Sequence, residues 1–168
     1  MHQTHFDIVV VGGGMVGAAL ASGLTQQGFQ VAVLERETPP EFNAEAPPDI
    51  RISAIGCASV ALLKSLDVWQ RVEQMRCAPY RKLETWEWQT ARVQFDAASL
   101  GLPELGYMVE NSVLQWALWQ ALQAHPQVTL LAGQTITGMT MDAGRRLLTF
   151  AEGEALSSRL VIGADGAF

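Results

Sequence analysis

The chain has 168 residues, of which 49% are hydrophobic and 17% are charged, and its formal net charge at pH 7 is −6. It is long and apolar enough for one domain with a sizeable core, and its composition excludes wholesale disorder. The negative charge argues against a general nucleic-acid binder, which needs a basic face. The charge balance also gives no indication of a polybasic membrane anchor.

Two cysteines, Cys57 and Cys77, are too few for a disulfide framework. Their spacing is not that of a metal-binding pair, and the three histidines do not cluster with them. We therefore predict two buried free thiols and no metal site, in a protein of the reducing cytoplasm.

The stretch from Ile8 to Leu34 carries no charge and is long enough to resemble a membrane span. It contains six glycines and several Ser, Thr and Gln residues, so it is not a continuous apolar run. No Lys or Arg precedes it, as the start of a signal peptide would require. We interpret this stretch as part of a folded domain.

The first predicted elements alternate between strand and helix. Residues 6–11 are a β-branched run that predicts a buried parallel strand, and the small residues of 18–24 predict a helix that stops near Gly28. Residues 31–35 predict a second buried strand, which ends in an acid. Strand, helix and strand within about thirty residues have the length of a βαβ unit.

The middle of the chain has weaker patterns. A proline-rich loop covers residues 38–49, and a helix over 57–66 is expected to share one face among positions 58, 61, 62 and 65. Residues 83–95 are expected to be extended. The elements predicted after them are a helix from Asn111 or Ser112 to about Ala124, a strand at 128–131, two antiparallel strands at 136–141 and 146–151 around a turn at 142–144, and a strand at 160–162.

A glycine pattern lies between the first predicted strand and the first predicted helix. In Gly12-x-Gly14-x-x-Gly17 the first glycine permits a tight turn, the second lets the backbone approach a pyrophosphate, and the third lets helix and strand pack closely. The helix N-terminus then presents free N–H groups and its positive dipole end to an anion. The pattern predicts a dinucleotide site; a glycine turn without a ligand is the alternative.

Glu35 ends the second predicted strand, 21 residues after Gly14. A carboxylate at this place can accept hydrogen bonds from a ribose 2′-OH, and it would repel a 2′-phosphate. The bound nucleotide is therefore expected to be FAD or NAD rather than NADP.

Three further polar residues have two interpretations each. Arg51 either reaches back to a diphosphate or flavin or is a solvated surface residue. Asn111 either contacts a ligand or only caps a helix. Asp165 follows a buried strand, where open α/β sheets bind ligands, although turn geometry alone also favours Asp. The tryptophans expected in the core or in an interface, rather than stacked on a ligand, are Trp86, Trp88, Trp116 and Trp119.

Together these elements predict an α/β fold of the Rossmann-like type. Its parallel sheet is expected to contain the strands near 6–11, 31–35, 128–131 and 159–163, with a small antiparallel excursion. We expect residues 1–168 to form a single domain. A buried strand that enters a glycine turn normally has something after it, so the encoded fold is expected to continue beyond this chain.

Four motifs resemble those of the FAD-dependent aromatic hydroxylases of the p-hydroxybenzoate hydroxylase type, and within them the ubiquinone-biosynthesis hydroxylases. They are Val-Gly-Gly-Gly-Met-Val-Gly at 11–17, Arg-Ile-Ser-Ala-Ile at 51–55, Tyr-Met-Val-Glu-Asn at 107–111 and Arg-Leu-Val-Ile-Gly-Ala-Asp-Gly at 159–166. Residues 81–88 and 121–126 look most like the branch that hydroxylates demethoxyubiquinol. The resemblance covers nearly the whole chain, as the N-terminal FAD-binding portion of the family.

The resemblance implies a role for each matching residue. The glycine loop, residues 12–17, would hold the FAD pyrophosphate. Glu35 with Arg36 would bind the adenosine ribose, and Arg51 would reach the flavin side. Asn111 matches a polar position near the ribityl chain, and the Asp165 turn matches a second fingerprint associated with FAD and the nicotinamide donor. The implied cofactor-binding residues are Gly12, Gly13, Gly14, Met15, Val16, Gly17, Glu35, Arg36, Arg51, Asn111, Asp165 and Gly166.

The family's second fingerprint normally continues with Ser and Arg, whereas this chain has Ala167-Phe168 at that place. A third fingerprint, a Gly-Asp pair that binds the ribityl chain, does not occur in the chain, and neither does the substrate-binding sheet. The resemblance therefore implies an incomplete FAD-binding domain without the substrate-binding and C-terminal parts.

The resemblance also implies an activity, that of a flavin-dependent monooxygenase. Electrons would come from NAD(P)H, and reduced FAD would react with O2 to form a C4a-hydroperoxide that transfers OH to a polyprenyl benzoquinol or phenol ring. Such a protein would be cytoplasmic, with peripheral contact to the inner membrane and a place in a ubiquinone-biosynthesis assembly as further options. Two alternatives stay open: an inactive, truncated FAD- or NAD-binding module, and the NAD-binding domain of a dehydrogenase.

Overall fold

The computed structural model describes residues 4–88 and 90–166, so Ala167 and Phe168 lie outside the described residues. In chain order the elements are β1 (His5–Val11), α1 (Met15–Gln26), β2 (Val31–Glu35), β3 (Ile52–Gly56), α2 (Cys57–Ser65), α3 (Trp69–Met75), β4 (Cys77–Tyr80), β5 (Lys82–Glu87), β6 (Ala91–Asp96), a short 3-10 helix (Ala97–Leu100), β7 (Gly106–Glu110), α4 (Asn111–Gln123), β8 (Val128–Ala132), β9 (Ile136–Asp142), β10 (Arg145–Phe150) and β11 (Leu156–Gly163). They belong to two compact units. The inserted unit is Phe42–Leu114, and the six-stranded unit contains the segments before and after it.

The six-stranded unit is built on one sheet with the strand order β8-β2-β1-β11-β10-β9. The pairs β8–β2, β2–β1 and β1–β11 are parallel, and the pairs β11–β10 and β10–β9 are antiparallel. The predicted parallel sheet and its antiparallel excursion are therefore confirmed. The turn between β9 and β10 places Ala143 and Gly144 at φ angles of 45° and 78°, which suit a two-residue hairpin turn.

The strands at the centre of the sheet, β1 and β2, are rich in buried apolar residues because both faces of the sheet are covered. Val9 and Val10 are neighbours in β1, and both are completely buried. Adjacent side chains on a strand point to opposite faces, so burial of both means that both faces are packed. The helix α1 contacts β1 and β2, and small side chains on its buried face let it come close. The buried residues of α1 are Gly17, Ala18, Ala21, Ser22 and Thr25.

The uncharged stretch from Ile8 to Leu34 thus forms most of β1, α1 and β2, as interpreted from its glycines and polar residues. Over residues 4–88 and 90–166, no helix combines the length and the hydrophobicity that crossing a membrane requires.

The inserted unit contains a three-stranded antiparallel sheet, ordered β3-β7-β4, and a separate hairpin of β5 and β6. The helices α2 and α3 contact each other, and the chain reverses between them at Asp67, whose φ is 58°. Trp69 of α3 is almost fully buried, and its ring meets that of Tyr107 in β7 edge-on, with 5.0 Å between the ring centroids.

The hairpin of β5 and β6 corrects the expectation of one extended element over residues 83–95. Leu83 lies opposite Phe95 in an antiparallel pair, so the segment folds back on itself. The chain reverses near Trp88, whose φ of 58° is uncommon for a bulky residue. No Gly, Asn or Pro marks this turn in the sequence, which is why the pattern of turn residues missed it.

The expected burial of tryptophans holds for Trp119, which is 2% exposed, while Trp116 is half-buried. Trp86 and Trp88 are 66% and 84% exposed, so they lie outside the core, and their expected alternative place in an interface stays a prediction. Both belong to the β5–β6 hairpin, which carries them outside the core of its own unit.

Two predictions about α2 are also wrong. The helix buries Val60 and Leu63, which with the buried Leu66 recur at three-residue spacing. The predicted face at positions 58, 61, 62 and 65 is exposed. Cys57, the first residue of α2, is exposed rather than buried, and Cys77 is half-buried; both thiols are free. The Cys57 thiol instead donates to the carbonyl oxygen of Glu104 at 3.3 Å.

Candidate functional site

The carboxyl ends of three parallel strands meet at one edge of the six-stranded sheet. Val11 at the end of β1 lies in register with Leu34 of β2 and with Gly163 of β11. The residues that follow these strands are therefore neighbours: the glycine loop, Glu35 and the turn at Asp165. An open α/β sheet binds its ligands at this edge.

Two glycines of the loop are required by close backbone contacts. Gly12 has a φ of 105°, and a Cβ on it would overlap the backbone of Ala164. A Cβ on Gly17 would overlap the carbonyl oxygen of Gly12. The Gly12 N–H donates to Leu34 at 2.8 Å, and the Ala164 N–H donates to Val11 at 2.7 Å. The loop is therefore fastened to both neighbouring strands.

Gly14 differs from these two, because a Cβ built on it would meet no described residue within 4 Å. It is the N-cap of α1 in an ordinary extended conformation, with φ −65° and ψ −176°. No side chain caps this helix end, and its first turn holds no acidic residue. The N-terminus of α1 thus faces open space with its N–H groups and positive dipole end, which is the arrangement that binds a phosphate.

Glu35 connects the end of β2 to the loop. Its Oε2 accepts a hydrogen bond of 2.6 Å from the Gly13 N–H, and its Oε1 accepts one of 2.7 Å from the Arg36 N–H. The side chain is half-buried and lines the crevice beside the loop. Each carboxylate oxygen has two lone pairs, so both can accept a further hydrogen bond from a ligand hydroxyl.

A crevice of about 580 Å³ joins these residues in the six-stranded unit. A second pocket of about 390 Å³ adjoins it, lined by residues 35–40 and Gln115, and Glu35 and Arg36 border both. Of the sequence-predicted residues, the structure brings to the crevice Gly12, Gly14, Met15, Val16, Glu35, Arg36, Asp165 and Gly166.

The arrangement fits a dinucleotide in three respects. The open space over Gly14 leaves room for a diphosphate at the helix N-terminus. The Glu35 carboxylate is at the wall of the crevice with acceptor capacity left. The crevice volume lies within the range of small-molecule and cofactor sites.

Four predicted residues do not line the crevice. Gly13 and Gly17 belong to the glycine loop, whereas Arg51 and Asn111 lie in the inserted unit and are brought together there. The Asn111 N–H donates to the Arg51 carbonyl oxygen at 2.9 Å. The Asn111 Oδ1 accepts a hydrogen bond of 2.6 Å from the Ser53 hydroxyl, so its side chain is engaged across the sheet. Helix α4 begins at Asn111 itself. The side chain of Arg51 is exposed.

The loop that precedes Arg51 is held by an ion pair that the sequence did not indicate. Glu110 is 7% exposed, and its Oε1 accepts from Arg76 at 3.0 Å while its Oε2 accepts from the Asp49 N–H at 2.7 Å. Arg76 also donates to the carbonyl oxygens of Ala44 and Ala46. The second half of the proline-rich loop is therefore held at Ala44 and Ala46 by Arg76 and at Asp49 by Glu110.

Sequence reasoning also missed residues of the six-stranded unit that contact the loop or the crevice. Gln134 and Thr135, between β8 and β9, and Ile136, the first residue of β9, line the crevice. Trp119 and Gln115 of α4 donate to the carbonyl oxygen of Gly13, at 2.7 and 3.5 Å. Their partner is about one hundred residues away in sequence, and no short motif marks such a pair.

The family described as FAD binding domain matches residues 5–168 of the chain. The chain is 58% identical over 161 residues to the 3-demethoxyubiquinol 3-hydroxylase of Escherichia coli, and 32% identical over 173 residues to the ubiquinone biosynthesis monooxygenase COQ6 of Drosophila melanogaster. These matches cover 96% and 97% of this chain. The crystal structure of p-nitrophenol 4-monooxygenase PnpA from Pseudomonas putida has the same fold, with a TM-score of 0.76 at 20% identity over 98% of this chain.

The chain spans 41% and 36% of the length of those two curated relatives, and 42% of the length of the Pseudomonas putida structure. The family match extends over all but the first four residues, and it includes the glycine loop, Glu35 and the Asp165 turn. The chain therefore belongs to the FAD binding domain family.

Proposed function

We propose that this chain is the FAD-binding part of a flavin-dependent monooxygenase that hydroxylates a polyprenyl benzoquinol or phenol ring in ubiquinone biosynthesis. The observation that carries the proposal is the open helix N-terminus at Gly14 beside the Glu35 carboxylate, in a chain that belongs to the FAD binding domain family. The substrate class follows from the 58% identity to the Escherichia coli 3-demethoxyubiquinol 3-hydroxylase.

The adenosine diphosphate half of FAD would bind along the crevice of the six-stranded unit. The N–H groups at the start of α1, with Met15 and Val16 beside them, would receive the diphosphate. Glu35 would accept a hydrogen bond from the ribose 2′-OH, with Arg36 next to it. The pocket lined by residues 35–40 is continuous with the ribose position through these two side chains, so it is the place we propose for the adenine.

The remaining predicted residues would act on the flavin side. We propose that Arg51 and Asn111, held together in the inserted unit, contact the flavin and its ribityl chain, and that Asp165 and Gly166 contact the cofactor at the end of β11. When bound and reduced, FAD supplies the activation of O2 that ring hydroxylation requires. The protein residues bind and orient the cofactor and limit the access of water.

The other reactants and partners follow from the similarity to ubiquinone hydroxylases. We propose NAD(P)H as the electron donor, and O2 and a polyprenyl quinol as the substrates. A polyprenyl tail is apolar, so we also propose peripheral contact with the inner membrane from the cytoplasmic side, and association with other proteins of ubiquinone biosynthesis.

FAD binding is tested by titrating the purified chain with FAD and following flavin fluorescence and absorption. We expect saturable quenching, and we expect Gly14→Val to abolish it, because the added side chain occupies the space proposed for the diphosphate. The fold should tolerate this change, since no atom of residues 4–88 and 90–166 lies within 4 Å of the Gly14 Cβ position. Ala58→Val, at an exposed site on α2, is the matched control. Absence of saturable binding by the unmodified chain would refute the proposal.

Turnover is a separate question, which distinguishes an enzyme from an inactive FAD- or NAD-binding module. NAD(P)H oxidation would be followed with FAD and a short-chain quinol present, and the quinol would be analysed by mass spectrometry. A product heavier by one oxygen atom supports a hydroxylase, whereas cofactor binding without product supports the inactive module.

A further inference from the structure

The indole of Trp119 makes a buried contact with the glycine loop. Trp119 is 2% exposed, and its Nε1–H donates a hydrogen bond of 2.7 Å to the carbonyl oxygen of Gly13. The amide of Gln115, one turn earlier on α4, approaches the same oxygen at 3.5 Å, which is long for an N–H···O hydrogen bond. Trp119 is thus the stronger donor to this carbonyl group.

Both polar backbone groups of Gly13 are therefore held. Its N–H donates to Glu35, and its carbonyl oxygen accepts from Trp119. In a trans peptide the C=O and the following N–H point in opposite directions, and the described chain contains no cis peptide bond. Because the indole holds the Gly13 carbonyl oxygen, the N–H of Gly14 points away from the indole. Among the four glycines of the loop, Gly14 is the one whose Cβ position meets no described residue within 4 Å.

We propose that Trp119 is a positioning residue for diphosphate binding: by holding the Gly13 carbonyl group, it keeps the Gly14 N–H directed into the crevice. This inference rests on the proposed function of FAD binding. Three consecutive glycines give this segment unusual rotational freedom. A rotated Gly13–Gly14 peptide would present its carbonyl oxygen, the negative end of the dipole, to the phosphates. The indole hydrogen bond excludes that orientation.

The same contact would also exist if Trp119 only filled the core, because a buried indole N–H needs an acceptor. The two roles differ in which ligands they affect. A positioning role acts on ligands that carry a diphosphate, such as FAD and ADP. A purely structural role changes the stability of the fold and affects adenosine, which has no phosphate, to the same degree.

The test replaces the indole by groups that lack the donor. Trp119→Phe is expected to weaken FAD and ADP binding about tenfold, the effect of about one hydrogen bond, and to leave adenosine binding within about twofold. Affinities would be measured by calorimetry on the 168-residue chain. Trp116→Phe, on the same helix and half-buried, is the control and should leave all three affinities unchanged. If Trp119→Phe does not fold, β-(3-benzothienyl)alanine at position 119 keeps the bicyclic shape without the N–H.

Each result supports or overturns the inference. Unchanged FAD affinity in the donor-free variants would overturn it, and so would an equal loss of affinity for ADP and for adenosine. If the unmodified chain binds neither FAD nor ADP, the proposed function itself fails, and this outcome is distinguished by the wild-type titration alone. A selective loss for the diphosphate ligands, with the Trp116→Phe control unaffected, supports the positioning role.

Discussion

The carboxylate of Glu35 accepts a hydrogen bond of 2.6 Å from the backbone N–H of Gly13, so the acid at the end of β2 is part of the glycine loop. The two residues are 22 positions apart in sequence and belong to adjacent connections at the same sheet edge. The same side chain lines the crevice. One carboxylate can therefore fix the loop and receive a ribose hydroxyl, and changing it should affect both.

We predict that Glu35→Gln weakens FAD binding about tenfold or more, because hydrogen bonds to a charged acceptor are the stronger ones. The charge also matters for selectivity. The unmodified chain should prefer ADP-ribose to 2′-phospho-ADP-ribose, since the carboxylate repels the 2′-phosphate, and Glu35→Gln should narrow this preference. Calorimetric titration with the two nucleotides measures both effects. Equal selectivity in the two proteins would show that Glu35 does not contact the ribose.

The glycines of the loop should separate into structural and ligand-facing positions. Gly17→Ala is expected to lower the free energy of unfolding by about 2 kcal/mol or more, because its Cβ overlaps the Gly12 carbonyl oxygen and α1 must move. Gly14→Ala has open space and an ordinary φ of −65°, so its stability should stay within about 0.5 kcal/mol of the unmodified chain while FAD binding weakens. Urea denaturation and FAD titration separate the two effects. Equal stability losses in both variants would contradict the geometry of the loop.

The parallel half of the fold could be predicted from the sequence because β1, β2 and β11 each contain a short apolar run that leads into a glycine or an acid. Val9 and Val10 are buried on opposite faces, and only a sheet covered on both sides places such neighbours inside. The spacing of the glycines then predicted the position of the glycine loop, since close backbone contacts require Gly12 and Gly17. That the residues of the glycine loop contact a cofactor stays a prediction.

The inserted unit was harder to predict because its strands are short and half-exposed. The strand β4 contains Pro79, which argues against a strand, and it is tolerated because β4 is at the edge of its sheet. The helix α3 and the strand β7 went unpredicted too. Trp119 was correctly placed in the core, yet its bond to Gly13 depends on the packing of α4 and on no local pattern.

The ion pair of Arg76 and Glu110 should contribute to the stability of the inserted unit. Glu110→Gln is expected to lower the free energy of unfolding by about 2 kcal/mol, because Arg76 and the Asp49 N–H lose a charged, nearly buried acceptor. Limited proteolysis should then cut the loop at 38–49 faster. Glu45→Gln, an exposed site in the same loop, serves as the control and should change neither quantity. If Glu110→Gln matches this control, the pair does not hold the loop.

The two thiols should react at different rates with iodoacetamide. Cys57 is exposed, whereas burial, and secondarily the Glu73 carboxylate, raises the pKa of the half-buried Cys77 thiol above its ordinary value of 9.0. The thiolate is the reacting species, so at pH 8 we expect Cys57 to be alkylated about tenfold faster. Labelling of Cys77 should rise steeply as the pH increases through and beyond 9.0. Peptide mass spectrometry measures each rate, and Cys57→Ser isolates Cys77. The difference should disappear in urea, where both thiols are solvated; faster labelling of Cys77 in the native chain would contradict the placement of both residues.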